Sequence, residues 1–193
     1  MNEKELINEI LKGDIEKYSY FIKEYQNEIY NLCFSIVKNR DDALDLTQEA
    51  FLIAFKNLKN FRGEASFSTW IYRIAYNLSI NFAKRKGQIL TILDRDEDEI
   101  EFQIEDKKSS IWDEIEREER IKIINKCLNR LKEFDRLIIE LREVNNLTYE
   151  EMSQILSLPI GTIKSRLFRA RERLKREIEK EFMKKDNESE TNF

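Results

Sequence analysis

Lys164, Arg166, Arg169, Arg171, Arg173, Lys175 and Arg176 crowd into one short stretch with Glu172 as its only acid. Seven cations against one carboxylate give that stretch a charge of +6, in a chain whose formal net charge is -4. Solvated helix faces ordinarily mix signs, so a run of one sign suits a polyanion, with DNA the leading one. Covalent chemistry is poorly supplied by comparison. The chain has no histidine, which removes the commonest general base and most zinc sites. No glycine-rich phosphate loop occurs. Cys33 and Cys127 stand far apart among apolar residues, the pattern of buried reduced thiols. Carboxylates cluster at Asp94, Asp96, Glu97, Asp98, Glu99, Glu101, Glu105 and Asp106, but that stretch lacks helical periodicity, and a two-metal nuclease needs ligands fixed on rigid elements. The expectation is a binding protein, with no catalytic residue, metal or cofactor.

The elements that must position the cations are legible around them. Ile160, Ile163, Leu167 and Leu174 recur at helical spacing, and Pro159 suits the first helical position, where a missing N–H costs nothing. Upstream, Thr148 and Glu151 have the S/T-x-x-E spacing of a capping box, so a short helix should start at Thr148 and bury Met152, Ile155 and Leu156. The break at Ser157-Leu-Pro159 is short enough to hold two helices at a steep angle. That is a helix-turn-helix, whose second helix enters the major groove.

One proline and four glycines, with 41% hydrophobic residues, predict an all-α chain able to build modest cores. No apolar run reaches membrane-spanning length, and Met1-Asn-Glu-Lys-Glu lacks the plan of a signal peptide, so the expected location is cytoplasmic. A short helix from Lys4 to Leu11 should precede one capped by Asp14 and running to about Val37, with Ile15, Tyr18, Phe21, Tyr25, Ile29, Leu32, Cys33 and Ile36 inward. Asp41 or Asp42 should cap a third helix to about Leu58, apolar at Leu44, Ala50, Phe51, Ile53, Ala54, Phe55 and Leu58. Asp45, Gln48 and Glu49 remain on a narrow strip continued by Leu52, which spacing alone reads either as a wet side or as a contact surface.

A loop over Asn60 to Ser66 leads to a helix capped by Ser66 or Ser68 and ending near Lys86. Its outer side presents Arg73, Asn77, Asn81, Lys84 and Arg85. Between Arg62 and Lys86 five cations face one acid, +4 in all, interleaved with Phe61, Phe67, Trp70, Tyr72 and Tyr76. Aromatics beside polar groups suit unstacked bases, at about 1 to 3 kcal/mol per stacked base, although most of these rings should be core. Residues 87–112 are an acidic flexible linker, able to reach at most ~88 Å. Helices over Asp113 to Leu131 and Glu133 to Val144 should face one another through Ile121, Ile124, Leu128 and Leu131, then Phe134, Leu137, Ile138, Leu141 and Val144.

Three ordered blocks now carry a family resemblance: Asp42-Ala-Leu-Asp-Leu-Thr-Gln-Glu-Ala-Phe51, Phe61-Arg-Gly-Glu-Ala-Ser-Phe-Ser-Thr-Trp-Ile-Tyr-Arg-Ile-Ala75, and Leu147-Thr-Tyr-Glu-Glu-Met152 continuing through Pro159-Ile-Gly-Thr-Ile-Lys-Ser-Arg-Leu-Phe-Arg-Ala-Arg171. Over nearly its whole length the chain resembles a bacterial RNA polymerase sigma factor of the extracytoplasmic-function (ECF) group of the sigma-70 family. The resemblance implies that residues 1–86 form sigma domain 2 and 113–182 sigma domain 4, followed by a polar tail at 183–193. It implies that Asp45, Gln48 and Glu49 bind the clamp helices of the polymerase largest subunit. It assigns Asn60, Phe61, Arg62, Gly63 and Phe67, with Arg73, Asn77, Asn81, Lys84 and Arg85, to single-stranded DNA of the -10 element. Lys164, Ser165, Phe168 and Arg169 fall to duplex bases of the -35 element, with Arg166, Arg171 and Arg173 nearer phosphates. An anti-sigma factor is a further partner that many relatives have. Compared with the larger housekeeping sigma factors, the middle domain is replaced by the acidic linker and the aromatic cluster before Trp70 is shorter, implying a narrow promoter set.

A free-standing helix-turn-helix repressor or activator is the competing reading within DNA binding. A recombinase or nuclease with a C-terminal helix-turn-helix is the competitor of another class, and it would need strands and a placed nucleophile that the first 86 residues do not offer.

Overall fold

The computed structural model describes residues 3–87 and 117–190, and every regular element among them is helical. In chain order these are α1 (Glu3–Leu11), a 3-10 turn (Ile15–Lys17), α2 (Tyr18–Val37), α3 (Arg40–Lys56), a second 3-10 turn (Leu58–Asn60), α4 (Phe67–Arg85), α5 (Arg117–Leu128), α6 (Glu133–Ile139), a π-helical turn (Glu140–Val144), α7 (Tyr149–Leu156) and α8 (Ile160–Glu190). Beyond Gly87, the expected linker lies outside the described residues, as do the expected helix start at Asp113 and the last residues of the tail.

Helix starts follow local side-chain hydrogen bonding, with some substitutions of partner. Asp14 accepts no N-cap hydrogen bond; its carboxylate pairs with Lys17 at 2.8 Å, and the chain makes a 3-10 turn before α2 begins at Tyr18. Neither Asp41 nor Asp42 caps α3. Asn39 does, its Oδ1 accepting the N–H groups of both at 3.0 Å, which leaves the two carboxylates in the first turn where the helix dipole favours them. Ser66 is the cap of α4, accepting from the Thr69 N–H at 3.1 Å. The capping box of α7 is complete: Glu151 N–H donates to Thr148 Oγ1 and Thr148 N–H donates to Glu151 Oε2. Pro159 stands one residue earlier than expected, its carbonyl accepting the Ile163 N–H at 3.0 Å. The polar tail is helical as far as Glu190.

α2, α3 and α4 pack together around Phe21, Ile29, Phe51, Phe67, Ile71 and Tyr72. α6, α7 and α8 enclose Leu137, Ile138, Met152, Ile155, Ile163 and Leu167, and α5 lies along α8. The α5–α8 seam is held by Glu181, which accepts from Lys126 and, at 2.7 Å, from Arg130. α6 runs on into a π-helical turn, Glu140–Val144, and Asn146 then takes a left-handed φ of 54° that asparagine tolerates. Ile121 and Val144, expected inward, are 50% and 65% exposed, and Ile123 is buried instead.

The two units also dock on one another. α4 packs against α7 and α2 against α6, so that one apolar core is continuous from Leu6 to Ala170.

Candidate nucleic-acid and polymerase interfaces

Three surfaces can be built from the residues upward. The first lies on α2 and α3. Asp45, Gln48 and Glu49 are all exposed, as expected for a strip facing away from the core. Beside them runs an apolar groove of about 690 Å³ whose walls include Ile15, Ile22, Tyr30, Leu44, Gln48 and Leu52. Ile15, expected in the core, is 59% exposed, and Leu44 and Leu52 are 50% and 57% exposed. The α2 wall was not legible in the sequence, because a periodic apolar residue looks the same whether its neighbour helix covers it or stops short. The signal that was available concerned the α3 wall, where the i, i+8 pair Leu44 and Leu52 keeps the polar strip company.

The second surface is the Asn60 to Ser66 loop and the outer face of α4. Asn60 and Arg62 are exposed, and Gly63 adopts a left-handed φ of 68° that lets the loop double back. Arg73, Asn77, Asn81 and Lys84 form an exposed row at spacings of four, four and three, with Arg85 beside them. Loop residues 60–65, with Thr69, Trp70, Arg73 and Gln154, line a cavity of about 320 Å³. Phe61 is the half-buried ring at its edge, 5.1 Å from Trp70 and 6.2 Å from Phe67. Phe67 itself is a correction. It is wholly buried, stacked on Phe21 at 3.9 Å, and its N–H donates to the Glu3 carboxylate at 3.1 Å, so no base can reach it. It supports the loop from below.

The third surface is α8. The turn before it is stabilised by Ser157, left-handed at φ 54°, and by Ser153 Oγ, which donates to the Leu158 carbonyl at 2.6 Å. Lys164 is exposed near the helix start, 5.4 Å from the Tyr149 ring centroid. Ser165 Oγ donates back to the Thr162 carbonyl at 3.0 Å, while Phe168 and Arg169 are half-buried. Several cations already have protein partners. Arg166 lies over Phe134 at 4.6 Å, Arg171 Nε donates to Glu143 at 3.0 Å, and Arg173 Nη1 donates to the buried Asp135 at 2.7 Å. Seven cations on α8 would suggest about six phosphate contacts and a log-log salt slope near -5; with Arg171 and Arg173 paired internally, about four contacts and a slope near -3.6 are expected. Fluorescence anisotropy of a duplex titrated at several KCl concentrations measures it, and a slope near zero would remove α8 from the DNA backbone.

Residues 21–89 match sigma-70 region 2 and residues 121–174 match sigma-70 region 4. The chain is similar to the RNA polymerase sigma-H factor of Pseudomonas aeruginosa, 31% identical over 92% of this chain and 94% of that protein. It is also similar to the ECF RNA polymerase sigma-E factor of Escherichia coli strain K12, 32% identical over 93% of this chain and 95% of that protein. Among solved structures, the sigma factor RpoE of Bartonella quintana, in complex with the anti-sigma factor NepR, shares the fold with a TM-score of 0.61 at 24% identity, over 85% of this chain and 98% of that one. CnrH, in complex with the cytosolic domain of CnrY, gives the same TM-score at 17% identity, over 90% of this chain and 94% of that one.

Proposed function

The chain belongs to the ECF group of the sigma-70 family and is a promoter-specificity subunit of RNA polymerase, and from that premise we propose a role for each of its three surfaces. The α2–α3 face, with Asp45, Gln48, Glu49 and the adjoining groove, takes the clamp helices of core polymerase. The Asn60 to Ser66 loop with Arg73, Asn77 and Asn81 takes unpaired bases of the -10 element and helps to keep the strands apart. α8 reads the -35 element in the major groove, with Lys164 near its N-terminal end as the leading base-facing cation. The chain performs no covalent chemistry of its own and works in the cytoplasm, where the polymerase is. An anti-sigma protein, such as the solved relatives carry, is a further partner suited to the apolar groove.

One observation carries this reading: the surfaces are chemically segregated. An apolar groove lined by Leu44, Gln48 and Leu52 occupies α2–α3, with Asp45 and Glu49 exposed on the same helix as these three, whereas exposed donors and cations occupy α4 and α8. Titrating core polymerase and promoter duplex separately tests it. Lys164→Ala should reduce discrimination at one -35 position by about 1 to 3 kcal/mol and leave core affinity unchanged. Gln48→Ala combined with Glu49→Ala should do the reverse. Loss of core affinity in the Lys164 variant, or its retention in the double variant, would overturn the division of roles.

A further inference from the structure

α1 lies ahead of residues 21–89, the span that matches sigma-70 region 2, yet it meets the Asn60 to Ser66 loop at its start, its middle and its end. It packs on the 3-10 turn Leu58–Asn60, where the loop begins. The Lys4 Cε lies 3.6 Å from where a Cβ on Gly63 would stand, so the lysine stem runs beside the middle of the loop. At the other end the Glu3 carboxylate accepts the Phe67 N–H at 3.1 Å through Oε2. Phe67 is the first residue of α4, and its N–H is one of the first-turn donors that have no partner inside the helix. Glu3 satisfies it from 64 residues away, at a helix end where the dipole favours negative charge. The carboxylate is also held from its other side. Glu3 Oε1 accepts from the Tyr25 hydroxyl at 3.4 Å, and burial, with Glu3 adding to it, pushes that phenol up to about 12, so it stays a donor. α1 is anchored in turn by Leu6, Ile7 and Ile10, all buried. The loop's own backbone does little to fix it. The Phe61 N–H donates to the Leu58 carbonyl and the Trp70 N–H to the Ser66 carbonyl, each at 3.1 Å, and between them, among the described residues, Arg62 to Ala65 make no backbone–backbone hydrogen bond.

We propose that α1 is a working part of the surface that takes unpaired -10 bases, with Glu3 as its positioning residue. By holding the Phe67 N–H, Glu3 fixes the start of α4 against the loop, and with it the shape of the cavity that residues 60–65 form with Trp70 and Arg73. This rests on the assignment of the loop and α4 to unpaired bases. Glu3 acts through Phe67 and touches no base. A loop fixed in advance loses less conformational freedom when a base enters, and it fits some bases better than others. Releasing its Glu3 end therefore weakens single-strand binding and flattens the preference among sequences.

The test assembles the full chain with core polymerase and mixes the holoenzyme with a pool of single-stranded DNA of random sequence. Anisotropy gives the affinity for the pool, and sequencing of the bound fraction gives the preference. The unsubstituted holoenzyme should enrich a short motif. Glu3→Ala should weaken binding on the order of tenfold, the scale of losing a hydrogen bond to a charged group, and flatten the enrichment while core affinity stays unchanged. Glu3→Gln, whose amide oxygen can still accept from Phe67, should restore most of both. Val37→Ala, buried about three turns along α2 from Tyr25, is the stability control: it should lower the melting temperature and leave the enrichment as it was. If Glu3→Ala folds poorly, Tyr25→Phe releases only the other carboxylate oxygen and should give a smaller loss of the same kind. Unchanged binding and enrichment in Glu3→Ala, or in Tyr25→Phe where that variant takes its place, overturns the proposal. An equal loss of enrichment in Val37→Ala also overturns it, leaving Glu3 a role in stability only. If the unsubstituted holoenzyme enriches nothing beyond what core polymerase binds alone, the underlying assignment of the loop and α4 falls, and that result is separate from any variant.

Discussion

Phe67→Ala is expected to destabilise the N-terminal unit by about 3 to 5 kcal/mol, the cost of deleting a buried ring and leaving a cavity. The ring is wholly buried, stacks on Phe21 at 3.9 Å, and meets Tyr18, Phe61 and Trp70 edge-on, with centroids 5.8 to 6.4 Å away. Such geometries add to area burial rather than merely filling space. The backbone at the same residue is also held, by Glu3, whose other carboxylate oxygen accepts from Tyr25 at 3.4 Å. Domains of this size have about 5 to 15 kcal/mol in total, so the substitution removes a large share of it. The loop that Phe61 anchors should loosen with the core. Urea denaturation followed by circular dichroism gives the measurement. A loss below about 1 kcal/mol, together with weakened single-strand binding, would instead place Phe67 on the DNA surface.

Arg173→Ala is expected to cost about 3 kcal/mol in the C-terminal unit, because it strands the Asp135 carboxylate in a site where its side chain is only 7% exposed. Arg173 is itself 26% exposed along its side chain, which puts the figure at the lower end of the range for buried pairs. The bond joins α6 to α8 and so helps to set the recognition helix against its support. Replacing both partners with apolar residues, Asp135→Leu with Arg173→Met, should recover most of the loss, since no charge then remains buried without a partner. Chemical denaturation of the two variants decides between this and a phosphate-contacting role. In the latter case Arg173→Ala would leave stability intact and reduce the salt slope of duplex binding by about 1.

Both expectations depart from what the residues suggest in isolation, and the departure has a common cause. What the sequence determined by itself is local. The Thr148–Glu151 capping box, the Ser66 cap, the turn ahead of α8 and the helical spacing of Ile163 and Leu167 all depend on groups a few residues apart, so their energetics are carried by the segment alone. The same locality explains where cap choice slipped. Asn39, Asp41 and Asp42 all have the right chemistry within one turn, and only the backbone at Asn39 is extended as a cap requires.

Tertiary structure alone decided the rest. Periodicity gives the angle of a side chain about its own helix and nothing about what stands opposite. Arg171 meets Glu143 from 28 residues away, Arg173 meets Asp135 from 38, and Thr69 meets Glu151 from 82. Each pairing changes a surface cation or a capping carboxylate into part of a junction. Ile15 and Leu44 border an open groove, whereas Phe67, read as a candidate for stacking on a base, is closed over by five other rings. An apolar side chain buries itself wherever a partner surface is within reach, and which surface is within reach is a property of helix packing that no window along the chain contains.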